Sequence, residues 1–328
     1  MILDGIRVRD QILRGLRSRV DALAAAARPP GLAVVLVGND PGSQIYVRNK
    51  VKACAELGIA GQTLTPPATI STEELLAIVD GLNCDPDIDG ILVQLPLPPQ
   101  VDSRRVLLAV SPEKDVDGFH PMNVGNLVAG RPGPRPCTPA GIMELLNYYR
   151  LPVAGKRAVV VGRSDIVGKP MALLLLHAHA TVTICHSRTV DLPAVCREGE
   201  ILVAAMGRPA MLTADYIRPG AIVIDVGMNR IVDRAEAARI FRNSPDRLAT
   251  LERKGSVLVG DVDPLDMQDR AAAYTPVPGG VGPLTIAMLM SNTVTAAEAR
   301  LSLTPALPGA PPVPVESHAP CAGSTYKE

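Results

Sequence analysis

The sequence predicts an α/β protein of two α/β domains, the second a Rossmann-like parallel sheet. Short β-branched runs alternate with longer segments of helical period along most of the 328 residues. The run Ala158-Val-Val-Val161 has the unbroken apolar character of a strand buried on both faces. It stops at Gly162, and Gly168 and Pro170 then open an apolar segment, Met171 to Leu176 and onward, too long for a strand. A strand that ends at glycine and re-enters as a helix turns backbone N–H groups and a positive helix end toward a ligand, as a phosphate cradle does. The spacing is not G-x-G-x-x-G, and any tight strand-to-helix turn could look the same.

Taken in order, residues 8 to 27 have the period of an amphipathic helix, stopped by Pro29-Pro30. Gly31 to Val37 reads as a buried strand, followed by the turn formers Gly38-Asn-Asp-Pro-Gly42. Ser43 is the expected N-cap of the next helix and Gly58 its end. Ala60 to Thr65 reads as a strand, Ser71 to Leu82 as a helix with Ser71 and Glu74 at capping-box spacing, and Ile88 to Leu95 as a strand ended by prolines. Thr138 and Pro139 fit the start of a helix running to Arg150. Strands are then expected at 158–161, 181–185, 201–205 and 221–226. Residues 231–253 read as a charged surface insertion. The turn Pro276-Val-Pro-Gly-Gly-Val-Gly-Pro283 leads into a helix, 284–299, apolar on nearly every face and so expected to be buried against the first domain. The expected division is 1–138 with 284–302, 139–283, and a disordered proline-rich tail at 303–328.

Acidic and basic residues balance at 33 each and aromatics are 2%, which argues against nucleic acid or an anionic membrane as partner. Six cysteines without a C-x-x-C pair read as reduced thiols. The first residues lack the apolar core of a signal peptide, and no segment is apolar and long enough to span a membrane, so a cytoplasmic protein is expected.

Candidate chemistry falls in two regions. After the strand Thr181–Cys185 come His186, Ser187 and Arg188, with no carboxylate where an NAD unit would hold the ribose. Arg163, Ser187 and Arg188 would instead welcome a 2′-phosphate, so the expected cofactor is NADP. In the first region Tyr46 and Lys50 lie four apart and share a helix face. A lone pair at that spacing is usually an ordinary amphipathic face. Short-chain dehydrogenases use such a pair, but after the nucleotide unit rather than before it. Gln94 stands at the carboxyl end of a strand, and Asp115, Asp117 and His120 crowd one loop, where spacing alone does not choose among them. His177 and His179, two apart on a helix, point to different faces and make no metal site.

The segments SQIYVRNKVKAC, GILVQLPLP, PEKDVDGFHPMNVGNL, PCTPAGIMELL, VVVGRSDIVGKP, VTICHSRT, VIDVGMNR and TPVPGGVGPLTIAMLMSNT together resemble the bifunctional methylenetetrahydrofolate dehydrogenase/cyclohydrolase family, in order, from about residue 3 to 301. The resemblance implies a homodimer of two-domain α/β subunits, with an interdomain cleft, that oxidises 5,10-methylenetetrahydrofolate with NADP and hydrolyses the methenyl product to 10-formyltetrahydrofolate. It implies that Lys50 is the catalytic lysine, that Tyr46 packs on the folate ring system, that Gln94 holds the lysine and that Asp117 hydrogen-bonds the pterin. By the same resemblance Leu95, Pro278, Gly279 and Gly280 line the folate cleft, while Gly162, Arg163, Ser164, Ser187 and Met228 contact the cofactor. The sequence departs from the family pattern in its longer 231–253 segment, in Glu200 where an Asp often precedes the third strand, and in the tail. Hydride loss from the methylene carbon needs positioning more than a base, whereas water attack on the methenyl carbon needs proton handling, the work expected of Lys50. The alternatives are a monofunctional dehydrogenase, a folate- or nucleotide-binding protein without catalysis and, more remotely, another NADP-linked two-domain dehydrogenase of shikimate type, which would need a different substrate loop at 94–120. Against the second, a binder has no need of the lysine.

Overall fold

Asp4 starts the first helix, α1 (Gly5–Ala26), its carboxylate accepting from the backbone N–H groups of Ile6 and Arg7 at 2.9 and 3.2 Å. In this computed structural model residues 1–242 and 244–301 are described; the tail expected at 303–328 lies outside the described residues. Strand β1 (Gly31–Val35) leads to α2 (Pro41–Leu57). The N-cap of α2 is Asp40, not the expected Ser43: the Asp40 carboxylate accepts from Ser43 N–H at 2.7 Å, and Pro41 has the fixed φ a first turn favours. Gly58 closes α2 in the left-handed region at φ 82°, as expected. Strand β2 (Ala60–Leu64) follows, then α3 (Thr72–Cys84), whose capping box of Ser71 and Glu74 is present, then β3 (Gly90–Val93). The short helices α4 (Ser103–Ala109) and α5 (Pro121–Val128) follow. Helix α6 (Cys137–Tyr148) begins one residue before the expected cap: Pro136 is its N-cap and has no polar side-chain atom to bond with, while the Thr138 hydroxyl lies within the helix, 2.9 Å from that of Thr285.

The second sheet is built from β4 (Arg157–Val161), α7 (Gly168–His177), β5 (Thr181–Cys185), α8 (Leu192–Arg197), β6 (Ile201–Ala204) and β7 (Ile222–Asp225). The hairpin strand β8 (Asn229–Ile231), helices α9 (Arg234–Ile240) and α10 (Pro245–Lys254), and hairpin strand β9 (Val257–Val259) interrupt it. Helix α11 (Pro264–Arg270), β10 (Ala273–Tyr274) and α12 (Gly282–Arg300) complete the described chain.

Two parallel sheets result, β2-β1-β3 and β10-β7-β6-β4-β5. Strands β1, β3, β4, β6 and β7 are covered on both faces, which is why they read as apolar runs without alternation, whereas the edge strands β2 and β5 keep exposed residues. On the first sheet Leu32, Val34 and Leu92 face α1, α2 and α12, while Ala33, Val35 and Val93 face α3. On the second, Val160 and Val203 face α6 and α7, and Val159 and Leu202 face α8 and α11. In this sheet the chain runs outward from β4 in both directions, so strand order reverses between β4 and β6. Ligands of open α/β sheets sit above such a reversal, at the carboxyl ends of the strands.

Helix α12 joins the two cores. Its Leu284 packs with Ile142 and Val160 of the second, and its Leu289, Met290 and Val294 pack with Val34 and Leu92 of the first. The burial expected from its apolar faces is therefore met, and against both units. The chain's start is held by the second sheet too: Leu3 N–H donates to the Tyr274 carbonyl at 2.7 Å and Gly5 N–H to the Gly279 carbonyl at 2.9 Å. Residues 231–253 are not merely surface. Ile231, Ala237, Ile240, Phe241, Leu251 and Val257 form a small buried core of their own.

The far end of α12 is fixed by charge. Asp89 is fully buried and accepts from Arg28 at 2.7 and 2.9 Å, from Arg300 at 3.0 Å and from Gly31 N–H at 2.9 Å. Removing the carboxylate leaves two guanidinium groups facing each other at a partly buried site. Asp89→Ala is expected to lower stability by about 3 kcal/mol, read as a lower urea midpoint; an unchanged midpoint would show that the pairs contribute nothing.

Candidate active site

Helix α2 places Tyr46 and Lys50 one turn apart, facing the carboxyl end of β3. Lys50 is buried, and its ammonium donates to Gln94 Oε1 at 2.9 Å. The Gln94 amide is itself fixed, since Nε2 donates to the Leu95 carbonyl at 2.7 Å. Tyr46 Oη donates to Met228 Sδ at 3.4 Å, so a residue beyond the end of β7 meets a residue of α2 across the cleft. A cavity of about 280 Å³ is lined by Tyr46, Lys50, Gln94, Thr138, Met228 and Thr285, among others. A larger cavity of about 560 Å³ shares Tyr46 and Met228 with it and extends along Pro278, Gly279 and Gly280. The larger space holds neither Lys50 nor Gln94; both line the smaller one.

The crowded loop sorts itself out by hydrogen bonding. Asp115 is buried and structural: it accepts from the N–H groups of Gly118 (3.1 Å) and His120 (2.8 Å) and from Asn123 Nδ2 (2.8 Å). His120 caps α5, its Nδ1 accepting from Met122 N–H at 3.1 Å. That leaves Asp117. Some of its surface stays accessible, yet loss of surrounding water pushes its carboxyl up to about 6, with nearby Lys50 opposing the rise and Asp115 adding to it. Three residues absent from the sequence-level candidates hold this corner. Asn292 of α12 donates to the carbonyls of Val116 (2.8 Å) and Arg135 (3.0 Å), and so ties down the segments leading into Asp117 and Cys137. The Cys137 thiol lies 3.4 Å from the Val116 carbonyl, and burial pushes it well above its ordinary value, so it stays a thiol. Thr285 meets Thr138 at the mouth of α12. The run SNT in a helix apolar elsewhere was the available signal for Asn292.

On the other side of the cleft, Gly162 ends β4 at φ 130°, and a Cβ there would lie 2.1 Å from the Ala205 carbonyl oxygen beyond β6. A Cβ on Gly168 would lie 2.2 Å from the Gly162 carbonyl oxygen. These two glycines let the loop close tightly at the point where strand order reverses, the part played by the first and last glycines of the common dinucleotide fingerprint at different spacing. Ser164 Oγ accepts from the N–H groups of Val167 and Gly168, each at 3.2 Å. Arg163, Ser164, Ser187 and Arg188 are all exposed around this crevice. His177 is taken up by the Leu127 carbonyl at 2.8 Å.

Two family profiles match the chain. Residues 3–117 match "Tetrahydrofolate dehydrogenase/cyclohydrolase, catalytic domain", and residues 136–301 match "Tetrahydrofolate dehydrogenase/cyclohydrolase, NAD(P)-binding domain". The chain belongs to the tetrahydrofolate dehydrogenase/cyclohydrolase family. It is similar to the bifunctional protein FolD of Solibacter usitatus, 69% identical over 91% of this chain and 98% of that one. The corresponding protein of Koribacter versatilis is 62% identical over 91% and 97%. Among solved structures, the bifunctional FolD of Campylobacter jejuni is 42% identical with a TM-score of 0.83, covering 92% of this chain and 99% of that one. The Trypanosoma brucei methylenetetrahydrofolate dehydrogenase-cyclohydrolase, solved with NADP cofactor and an inhibitor, is 39% identical with a TM-score of 0.82, covering 92% and 98%. The family resemblance read from the eight motifs is thereby confirmed.

Gly168→Ala must move either α7 or the loop beneath it. It is expected to weaken dinucleotide binding by about tenfold or more, measured by titration of protein fluorescence or calorimetry. Gly81→Ala, on α3 with open space at its Cβ, is expected to leave binding unchanged. Equal effects of the two would remove the steric argument.

Proposed function

We infer that this protein oxidises 5,10-methylenetetrahydrofolate with NADP and hydrolyses the 5,10-methenyl product to 10-formyltetrahydrofolate. The observation that carries this is a buried lysine, oriented by Gln94 and beside a carboxyl of raised pKa, in a cavity reached by Met228 from the nucleotide-binding sheet. The glycine-closed crevice above β4 and β6 fits a dinucleotide, because its backbone can approach a pyrophosphate where a Cβ would intervene. NADP, when bound, accepts the hydride that leaves the methylene carbon. Arg163 and Ser187, both exposed, would meet its 2′-phosphate. Ser164 has used its oxygen as an acceptor, which leaves its hydroxyl hydrogen for a phosphate oxygen.

In this reading Tyr46 packs on the folate ring system and Asp117 accepts from the pterin. Leu95 and the Pro278-Gly279-Gly280 turn line the rest of the cleft. The oxidation needs the methylene carbon held against the cofactor, a matter of geometry. The hydrolysis adds water to the methenyl carbon and then breaks one of its two C–N bonds, so a proton must leave the water and one must reach the departing nitrogen. Lys50 is the proton carrier at that atom, and Gln94 Oε1 keeps its Nζ in place. Residues 1–138 with 284–302 serve as the folate unit and 139–283 as the NADP unit. Two copies pair as a homodimer; the uncovered edge strand β5, with Ile184 45% exposed and Val190 beyond it 87% exposed, supports a partner there. The cytoplasm suits the reduced, buried thiols of Cys54, Cys137, Cys185 and Cys196; no described helix is long and apolar enough to cross a membrane.

Lys50→Met is expected to lower methenyl hydrolysis by about a hundredfold or more and the oxidation far less, followed as separate absorbance assays. Equal loss of both would refute the division of labour. Asp117 accepts most strongly from the pterin as a carboxylate, and burial pushes its carboxyl up to about 6. The folate KM is therefore expected to rise as pH falls through 6 and to be constant above about 7. Asp117→Asn should give a higher KM that no longer changes across this range. A wild-type KM flat from pH 5 to 8 would exclude Asp117 from the site.

A further inference from the structure

The segment 229–259 leaves the nucleotide-binding sheet directly after Met228 and returns directly before Asp261, and both ends are stitched to the cleft. Asp225, buried at the end of β7, accepts from the N–H groups of Gly227 (2.9 Å), Asp261 (2.8 Å) and Val262 (3.0 Å). Asp261, also buried, accepts from Met206, Gly207 and Arg208 N–H at 2.7 to 2.9 Å and from Asn229 Nδ2 at 2.9 Å. The departing and returning strands thus share one polar clamp below Met228. From this base α9 and α10 reach round to a second part of the cleft. Arg247 of α10 lies over the Phe241 ring, 4.7 Å from its centroid, and donates to the Val277 carbonyl at 3.0 Å. Val277 immediately precedes the Pro278-Gly279-Gly280 turn that lines the larger cavity. The Phe241 ring is anchored in the inserted core, so the guanidinium above it is a fixed donor rather than a free arm.

We propose that Arg247 is a positioning residue for folate binding: it holds the Val277 carbonyl and, through it, sets the Pro278–Gly280 wall of the cleft. The proposal rests on the reading of that wall as part of the folate site. It gives the insertion a part in the reaction that neither its charge nor its length suggested. The bonded carbonyl is on the chain leading into the turn, so loss of the donor loosens the folate wall and leaves the Gly162 crevice as it was. The effect is confined to one substrate.

The test compares wild type, Arg247→Met, Arg247→Gln and Arg247→Lys in the dehydrogenase assay, with KM for methylenetetrahydrofolate and for NADP measured separately alongside thermal melting. Arg247→Met should raise the folate KM about tenfold, the scale of one charge-assisted hydrogen bond. The NADP KM should stay within about twofold and the melting temperature within a few degrees. Arg247→Lys, which keeps a cationic donor over the ring, should recover much of the loss. An unchanged folate KM in Arg247→Met would overturn the proposal, as would equal changes in both KM values. Failure of Arg247→Met and Arg247→Gln alike to fold would also overturn it, because the residue would then be structural. Absence of wild-type turnover would instead overturn the folate reading itself, and this proposal with it.

Discussion

A helix apolar on almost every side can be stable in water only if it is enclosed, and α12 imposes that constraint on the whole molecule. It is enclosed by both sheets' helical layers at once, with Leu284 in one core and Leu289 to Ala297 in the other. That position is why one element can serve the site from several sides. Its first turn carries Thr285 to the cavity that holds Lys50, its middle carries Asn292 to the segments entering Asp117 and Cys137, and its last turn carries Arg300 to Asp89. The turn Pro276–Pro283 that feeds it is at the same time a wall of the cleft. The packing and the candidate site share the same few residues.

The chemistry follows from where water is excluded. Lys50 has its buried position stabilised by a neutral amide rather than a salt bridge, so its charge is not locked to one carboxylate. Asp117, beside it, is driven up to about 6 by burial and remains ionised at neutral pH. A site with an oriented amine and an adjacent anion can hold a polar ring, tolerate a cationic methenyl carbon and pass a proton. The hydride step needs none of these groups to change protonation. It needs the carbon brought to the cofactor, and the contact of Tyr46 with Met228 shows that the two sides of the cleft approach each other there.

Much of this was legible in the sequence. Strands covered on both faces announce themselves as β-branched runs, and the Ser71–Glu74 capping box and the Gly58 terminus are local signals with local causes. The misplaced helix starts have the opposite character. Ser43 was outcompeted by Asp40 with Pro41 behind it, and Thr138 lies within its helix, its hydroxyl beside that of Thr285, a partner 147 residues away. Long-range partners also decided the crowded loop: Asp115 and Asp117 differ by two positions and by nothing in composition, and only the bonds from Gly118, His120 and Asn123 assign one to structure. The insertion read as charged surface because its core is small, six or so apolar side chains folded on themselves. The family's motifs supplied the roles that spacing could not.

The most direct measurement mixes the purified protein with tetrahydrofolate, formaldehyde and NADP and follows reduced cofactor and methenyltetrahydrofolate together by absorbance. One cleft carrying both steps should give reduced NADP with little methenyl build-up, and far less reduction when NAD replaces NADP. Stoichiometric accumulation of the methenyl compound, or no reduction at all, would contradict it.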